Sequence, residues 1–179
     1  MPDMADLKGL LGSLATAMGG DTGIPTGCQA VKDFDLARYL GLWHEIARLD
    51  HSFERGLNRV TAHYAMRDDG GVAVTNRGFN PKDQQWDEAE GKAFFEEDAH
   101  TGRFRVSFFG PFYAGYNILW LDENYEHAIV AGPNHGFLWL LARSSSITPE
   151  MYKHMLEMAR GNGFNTDALI RVSHDMSEA

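Results

Sequence analysis

Gly41-Leu42-Trp43-His44-Glu45-Ile46-Ala47-Arg48 reads as the first strand of an all-β domain. At period two, Trp43 and Glu45 share one face and His44 takes the other. The same alternation continues outward. Val60, Ala62, Tyr64 and Met66 interleave with Arg59, Thr61 and His63; Ala89, Gly91, Ala93 and Phe95 with Glu88, Glu90 and Lys92; Phe104, Val106 and Phe108 with Arg103, Arg105 and Ser107. Each run has a dry face and a wet face, which suits antiparallel strands around a closed apolar interior. Turn signals separate the runs at intervals of about a dozen residues, the spacing of a sandwich or barrel. Asp68-Asp69-Gly70-Gly71 is a hairpin turn, and Asn80-Pro81-Lys82-Asp83 and Pro133-Asn134-His135-Gly136 punctuate in the same way. About eight runs can be counted between Gly41 and Arg143. Eight antiparallel strands in up-and-down order enclose a space for side chains and one small ligand.

Two later runs break the alternation. Ile118-Leu119-Trp120-Leu121 and Phe137-Leu138-Trp139-Leu140-Leu141-Ala142 are apolar on both faces, so they require a cover outside the barrel. The chain supplies one. Thr148 is a helix cap, Pro149 suits the first helical position, and Gly161 or Gly163 ends the helix. Met151, Tyr152, Met155, Leu156 and Ala159 form its apolar stripe, while Lys153, His154, Glu157 and Arg160 face away. The predicted architecture is therefore an eight-stranded up-and-down β-barrel with an external C-terminal α-helix. Its domain spans residues 31–174, preceded by a flexible tail over 1–30 and followed by a short one over 175–179. Leu7, Leu10, Leu11, Leu14 and Met18 give residues 6–18 a weak helical spacing, which Gly9 and Gly12 oppose.

The formal net charge of -9 disfavours nucleic acid and anionic membrane surfaces as partners, since both reward a basic face. One cysteine, Cys28, permits neither an intrachain disulfide nor a thiolate metal cluster. The eight histidines are dispersed, with none of the close pairing that zinc sites favour, so no metal or other cofactor is expected. Ser144-Ser145-Ser146 is a polar loop without a nucleophile elbow, and no catalytic group is expected. Asp3 and Asp6 stand where a signal peptide carries positive charge, and Gly23-Ile24-Pro25-Thr26-Gly27 before Cys28 is not the apolar stretch of a lipidation site.

The Gly41-x-Trp43 opening resembles the signature of the lipocalins. Leu49-Asp50-His51-Ser52-Phe53-Glu54-Arg55-Gly56 and Ser107-Phe108-Phe109-Gly110-Pro111-Phe112-Tyr113 are similar to the bacterial outer-membrane branch of that family. The resemblance covers about Val31 to His174. It implies a cup for one lipophilic molecule, a fatty acid or a lysophospholipid, serving lipid storage or transport in the cell envelope. Gly41, Trp43 and Arg143 match the family's structural motif, in which an arginine packs across the tryptophan at the closed end. Asp122 and Tyr125 fit a second motif, with Leu121 where a threonine is common. Lipocalins of this type also associate in pairs, and nothing in the sequence identifies a dimer patch. Relatives are commonly exported lipoproteins, which implies an envelope location; the sequence features near Cys28 leave a cytoplasmic one open.

By alternation, the ligand-contacting residues are Tyr64, Val74, Asn76, Ala93, Phe95, Val106, Phe108, Tyr116, Ile118, Trp139 and Leu141. The small Ala89-Gly91-Ala93 series is read as room for that ligand. Segments 50–58 and 110–115 are read as loops flanking the mouth. Glu45 points inward, where a carboxylate needs a partner or a proton. It either bonds buried donors at the closed end, Arg143 among them, or holds a polar head group. His44 is expected on the surface without a role. Rival readings are an enzyme on the same barrel acting on a lipophilic substrate, and a tetrapyrrole carrier, for which no axial ligand can be picked out.

Overall fold

The computed structural model describes residues 20–175. The helical spacing read over 6–18 lies outside them. Eight strands run in meander order: β1 (Gly41–Leu49), β2 (Asn58–Met66), β3 (Val72–Asn80), β4 (Gln85–Phe95), β5 (Arg103–Phe109), β6 (Phe112–Leu121), β7 (His127–Ala131) and β8 (Leu138–Ala142). Each pairs antiparallel with the next, and β1 closes the barrel by pairing with both β8 and β2. A ninth strand that the alternation did not reveal, β9 (Leu169–Arg171), extends the sheet on Ala47–Leu49 of β1.

A short helix, α1 (Leu36–Tyr39), capped by the Asp35 carboxylate, closes the end of the barrel where β1 begins. Phe34 and Tyr39 are buried there against Trp43 and Phe104. The Arg143 guanidinium lies 4.0 Å from the Trp43 ring centre and donates to the carbonyls of Leu42, Tyr125, Arg38 and Tyr39. Such stacking contributes ~0.5–2 kcal/mol, depending on desolvation. Gly41 opens this turn at φ +100°, a conformation that a side chain would strain.

The outer layer forms as the doubly apolar runs require. Helix α2 (Pro149–Gly161) begins at Thr148, whose hydroxyl accepts from the Met151 amide at 3.1 Å. Its Met155 and Ala159 are fully buried over Ala47, Leu49, Ile129, Leu138 and Leu140, the outward faces of β1, β7 and β8.

Residues 20–30 differ from the expected flexible tail: they are docked along β6. The Gly115 amide donates to the Asp21 carbonyl at 2.8 Å, and the buried Asn117 side chain donates to the Gly23 carbonyl at 3.0 Å. Gly115 is required here, because a Cβ would sit 2.4 Å from that carbonyl. Within this segment Pro25 and Cys28 are buried. The dry face of β2 is also shorter than alternation predicts. Met66 is exposed, and a register shift between Asn58 and Thr61 turns Val60 into a separate cluster with Leu57 and Val172.

Candidate functional site

Inside the barrel lies a cavity with about 750 Å³ of empty space, including the part open to solvent at its mouth. Its wall is mostly apolar. Of the residues expected to face the ligand, Tyr64, Val74, Asn76, Ala93, Val106, Phe108, Tyr116, Trp139 and Leu141 line it. Phe95 and Ile118 do not. Phe95 stacks on Phe104 at 4.5 Å in the packing beside Phe34. Ile118 is fully buried near the closed end, where its backbone bonds to Val31 and Gly102. The small series on β4 is only partly room for a ligand. Ala93 lines the cavity, Gly91 is filled by the Phe108 ring, and Ala89 packs on the Leu57 cluster.

At the floor, three phenols form a chain. The Tyr116 hydroxyl meets that of Tyr39 at 2.5 Å and that of Tyr64 at 2.8 Å. Burial raises the pKa of all three, so they stay neutral and available as donors and acceptors.

The other polar group lies in the wall beneath the β1–β2 loop. Glu45 is buried, as parity predicts, but its partner is Arg48 at 3.2 Å. Arg143 is not involved. Arg48 points inward because β1 carries a register shift between Glu45 and Ala47, which reverses the alternation: Ala47 and Leu49 then face α2. The Arg48 guanidinium also lies 3.5 Å from the Glu54 carboxylate and donates to the Glu54 and Leu57 carbonyls. This ties the loop across the mouth. Two carboxyls therefore share one buried guanidinium. Burial, reinforced by the Glu54 charge, pushes the Glu45 pKa well above the ordinary carboxyl value; burial also raises that of Glu54. Glu45 and Glu54 both line the cavity, and among the described residues no lysine or arginine does.

The loop over 50–57 is packed rather than open. Phe53 is fully buried, stacked on His51 at 3.7 Å, and lines the cavity. His51 is buried between Phe53, Phe137 and Trp139, with no hydrogen-bond partner for either ring nitrogen. Its pKa falls to about 3, chiefly by burial and then by the Arg48 charge. Across the mouth, the expected loop over 110–115 is only a Gly110-Pro111 turn, with Phe109 and Phe112 exposed at its flanks and β6 beginning at Phe112.

Cys28 lies outside the barrel wall, beneath the end of α2, and its Sγ contacts His135 Nε2 at 3.8 Å. That nitrogen donates to the Asn162 carbonyl at 2.9 Å, so it is not free to take a thiol proton. Burial raises the Cys28 pKa, the opposite of an activated nucleophile. His44 is half-buried rather than exposed. Its Nδ1 donates to the Arg143 carbonyl at 2.9 Å, and its ring meets His174, which in turn donates to the Glu45 carbonyl.

The sequence profile described as "Lipocalin-like domain" matches residues 34–174. The chain belongs to the lipocalin family. Among its relatives, the outer membrane lipoprotein Blc of Citrobacter freundii is 52% identical over 148 residues, covering 83% of this chain and 84% of that protein. Its namesake in Vibrio cholerae is 49% identical over 156 residues, covering 87% and 91%. Mouse apolipoprotein D is 30% identical over 146 residues, covering 77% and 76%. Among solved structures, insecticyanin from Manduca sexta superimposes with a TM-score of 0.71 at 21% identity, covering 87% of this chain and 89% of that one. That match is to the fold. In this lipocalin the lining residues that alternation missed are chiefly Tyr39, Phe53, Glu54, Val72, Phe104 and Val130. Phe104 could have been found, since it lies on the dry face already read for β5. Tyr39, Phe53 and Glu54 come from a helix and a loop, where period-two reading has no hold.

Proposed function

We propose that the barrel binds one lipid with a long alkyl chain, a fatty acid or a lysophospholipid, for storage or transport in maintenance of the bacterial envelope. The observation that carries this reading is the largely apolar cavity, open at one end and closed at the other by α1 and Trp43. Burying an alkyl chain there contributes about 0.8 kcal/mol per methylene removed from water. The relatives named outer membrane lipoproteins support an envelope location. The nine lining residues that alternation picks out are proposed as alkyl-chain contacts, with Tyr39, Phe53, Phe104 and Val130 added to them.

The protein is read as a carrier. Cys28, its one thiol, is held outside the barrel with a raised pKa, so Cys28→Ser is expected to leave lipid binding intact. A lipid turnover lost in that variant would establish an enzyme instead. Pairing of two copies, as the family resemblance implies, would appear as a dimer mass in sedimentation equilibrium. Native mass spectrometry of purified protein is the direct test of the ligand class. A mass increment equal to a fatty acid or lysophospholipid is expected; a tetrapyrrole or a compound without an alkyl chain would refute the reading.

A further inference from the structure

The histidines are dispersed in the sequence, but folding brings two of them together outside the barrel. His44 stands on β1 between Thr61 of β2 and Ala142 of β8, on the face opposite to Trp43. His174 follows β9, on the segment that runs back along β1 through the hydrogen bond from the Val172 amide to the Ile46 carbonyl. The two rings meet edge to face, with centres 5.3 Å apart and planes at 79°. Each ring commits one nitrogen to a backbone carbonyl: His44 Nδ1 donates to Arg143 at 2.9 Å, and His174 Nε2 donates to Glu45 at 2.7 Å. A carbonyl accepts only from an N–H, so each bond fixes a tautomer. The proton sits on the bonded nitrogen, and His44 Nε2 and His174 Nδ1 are left with bare lone pairs. Among the described residues neither of these nitrogens has a hydrogen-bond partner, and neither is sealed from solvent.

Two imidazoles held in this way suit a cation of borderline softness. Metal-ligating histidines characteristically donate their second ring N–H to a carbonyl or carboxylate, which sets the tautomer and holds the ring still. The spacing agrees. An ion about 2.0–2.1 Å from one nitrogen of each ring, at a tetrahedral angle, sets the ring centres about 5 Å apart, and the observed separation is 5.3 Å. We infer that His44 and His174 form a two-histidine site for a divalent cation of the zinc–copper class, with His44 Nε2 and His174 Nδ1 as its protein ligands. Among the described residues no third histidine, cysteine or carboxylate joins them, so water completes the shell. Hard cations such as Mg²⁺, which take oxygen ligands, are not retained there. Neither histidine lines the lipid cavity, so the site goes beyond the carrier reading and does not depend on it. Its ligands come from β1 and from the segment after β9, and a bound ion would pin that segment to the barrel wall.

The test is equilibrium dialysis of the full chain against Zn²⁺ and, separately, Mg²⁺ near neutral pH. One Zn²⁺ per chain is expected, and no Mg²⁺. His44→Gln and His174→Gln each remove a ligand but keep a side-chain amide able to donate to a carbonyl, and each should weaken Zn²⁺ binding at least about tenfold. Cys28→Ser removes the thiol beside His135, the competing pair of soft ligands, and should bind Zn²⁺ as the wild type does. Ring-nitrogen NMR of the wild type needs no variant: Zn²⁺ should move the signals of two of the eight histidines, His44 and His174. Because the ion binds only the folded chain, Zn²⁺ should also raise the urea midpoint of the wild type and leave that of His174→Gln unchanged. Zn²⁺ binding that survives either histidine variant at full strength, that vanishes in Cys28→Ser, or that moves His135 in place of the pair would overturn the site. Mg²⁺ bound as tightly as Zn²⁺, or no Zn²⁺ bound at all, would overturn it equally.

Discussion

Replacing His51 with phenylalanine should remove a specific part of the protein's acid sensitivity. His51 is 8% exposed, stacked on Phe53, and has no hydrogen-bond partner for either ring nitrogen. Its pKa is about 3, against an ordinary value of 6.5. The sign follows from proton counting. Between those two values the unfolded chain takes up a proton that the folded protein refuses, so stability falls as pH falls through that window. From about pH 8 to about pH 5, this one histidine costs roughly 2 kcal/mol of stability, because only the unfolded state is protonated. The window stops at about pH 5 because ordinary carboxylates titrate below it. Glu45 and Glu54 act in the opposite sense. Their raised pKa values mean that stability is lost as pH rises from the ordinary carboxyl value towards their folded-state values, and they are common to both proteins. The assay is urea unfolding of wild type and His51→Phe at both ends of the window. The extra carbon of the phenyl ring can cost or gain packing energy at both pH values, so the informative quantity is the difference of differences. The wild type should lose about 2 kcal/mol more than the variant on acidification. Equal losses would show that His51 is protonated in the folded protein and that the loop over the mouth is not closed around it.

Arg143→Ala should lower stability by about 2–3 kcal/mol, the sum of a ring stack and partly solvated carbonyl contacts, with lipid affinity measured well below the transition almost unchanged. A large affinity loss at unchanged stability would place Arg143 in the ligand site. Deleting the chain through Gly27 removes the Asp21 and Gly23 carbonyls from Gly115 and the buried Asn117, and should cost about 1–3 kcal/mol in chemical denaturation. An unchanged midpoint would mean that the segment along β6 contributes nothing.

The strands and α2 were legible because their signals are local. Thr148 and Pro149 start α2 within one turn of where they stand, and Leu138 and Leu140 announce an outer cover by being apolar where alternation calls for polar residues. The inward set was legible for the same reason along β3, β5 and β8. Arg48 was not. Counting by twos from Trp43 sends it to the outer face, and only the irregularity between Glu45 and Ala47 brings it inside. That irregularity depends on β1 pairing with β8, nearly a hundred residues away, and leaves no glycine or proline to mark it. Glu54 was hidden for a related reason: a loop residue has no period, and its burial follows from the guanidinium that holds the loop down. Glu45 was placed inside correctly but given the wrong candidate partner, because Arg143 shares its end of the sheet in sequence order while its donors are consumed by four carbonyls. The docking of residues 20–30 likewise rests on backbone contacts that composition does not announce.

The central claim, that the barrel interior is the binding site and apolar burial the driving force, is tested most directly by titrating lipids of graded chain length into wild type and Ala93→Trp. Ala93 is 5% exposed and lines the cavity, so an indole there fills space that an alkyl chain would use. Wild-type affinity should rise with each added methylene, by up to about 0.8 kcal/mol, until the cavity is full, and then level off. In a folded Ala93→Trp protein that plateau should arrive at shorter chains, with the longest lipids losing most. Affinity that ignores chain length, or that survives the tryptophan unchanged, would contradict the account.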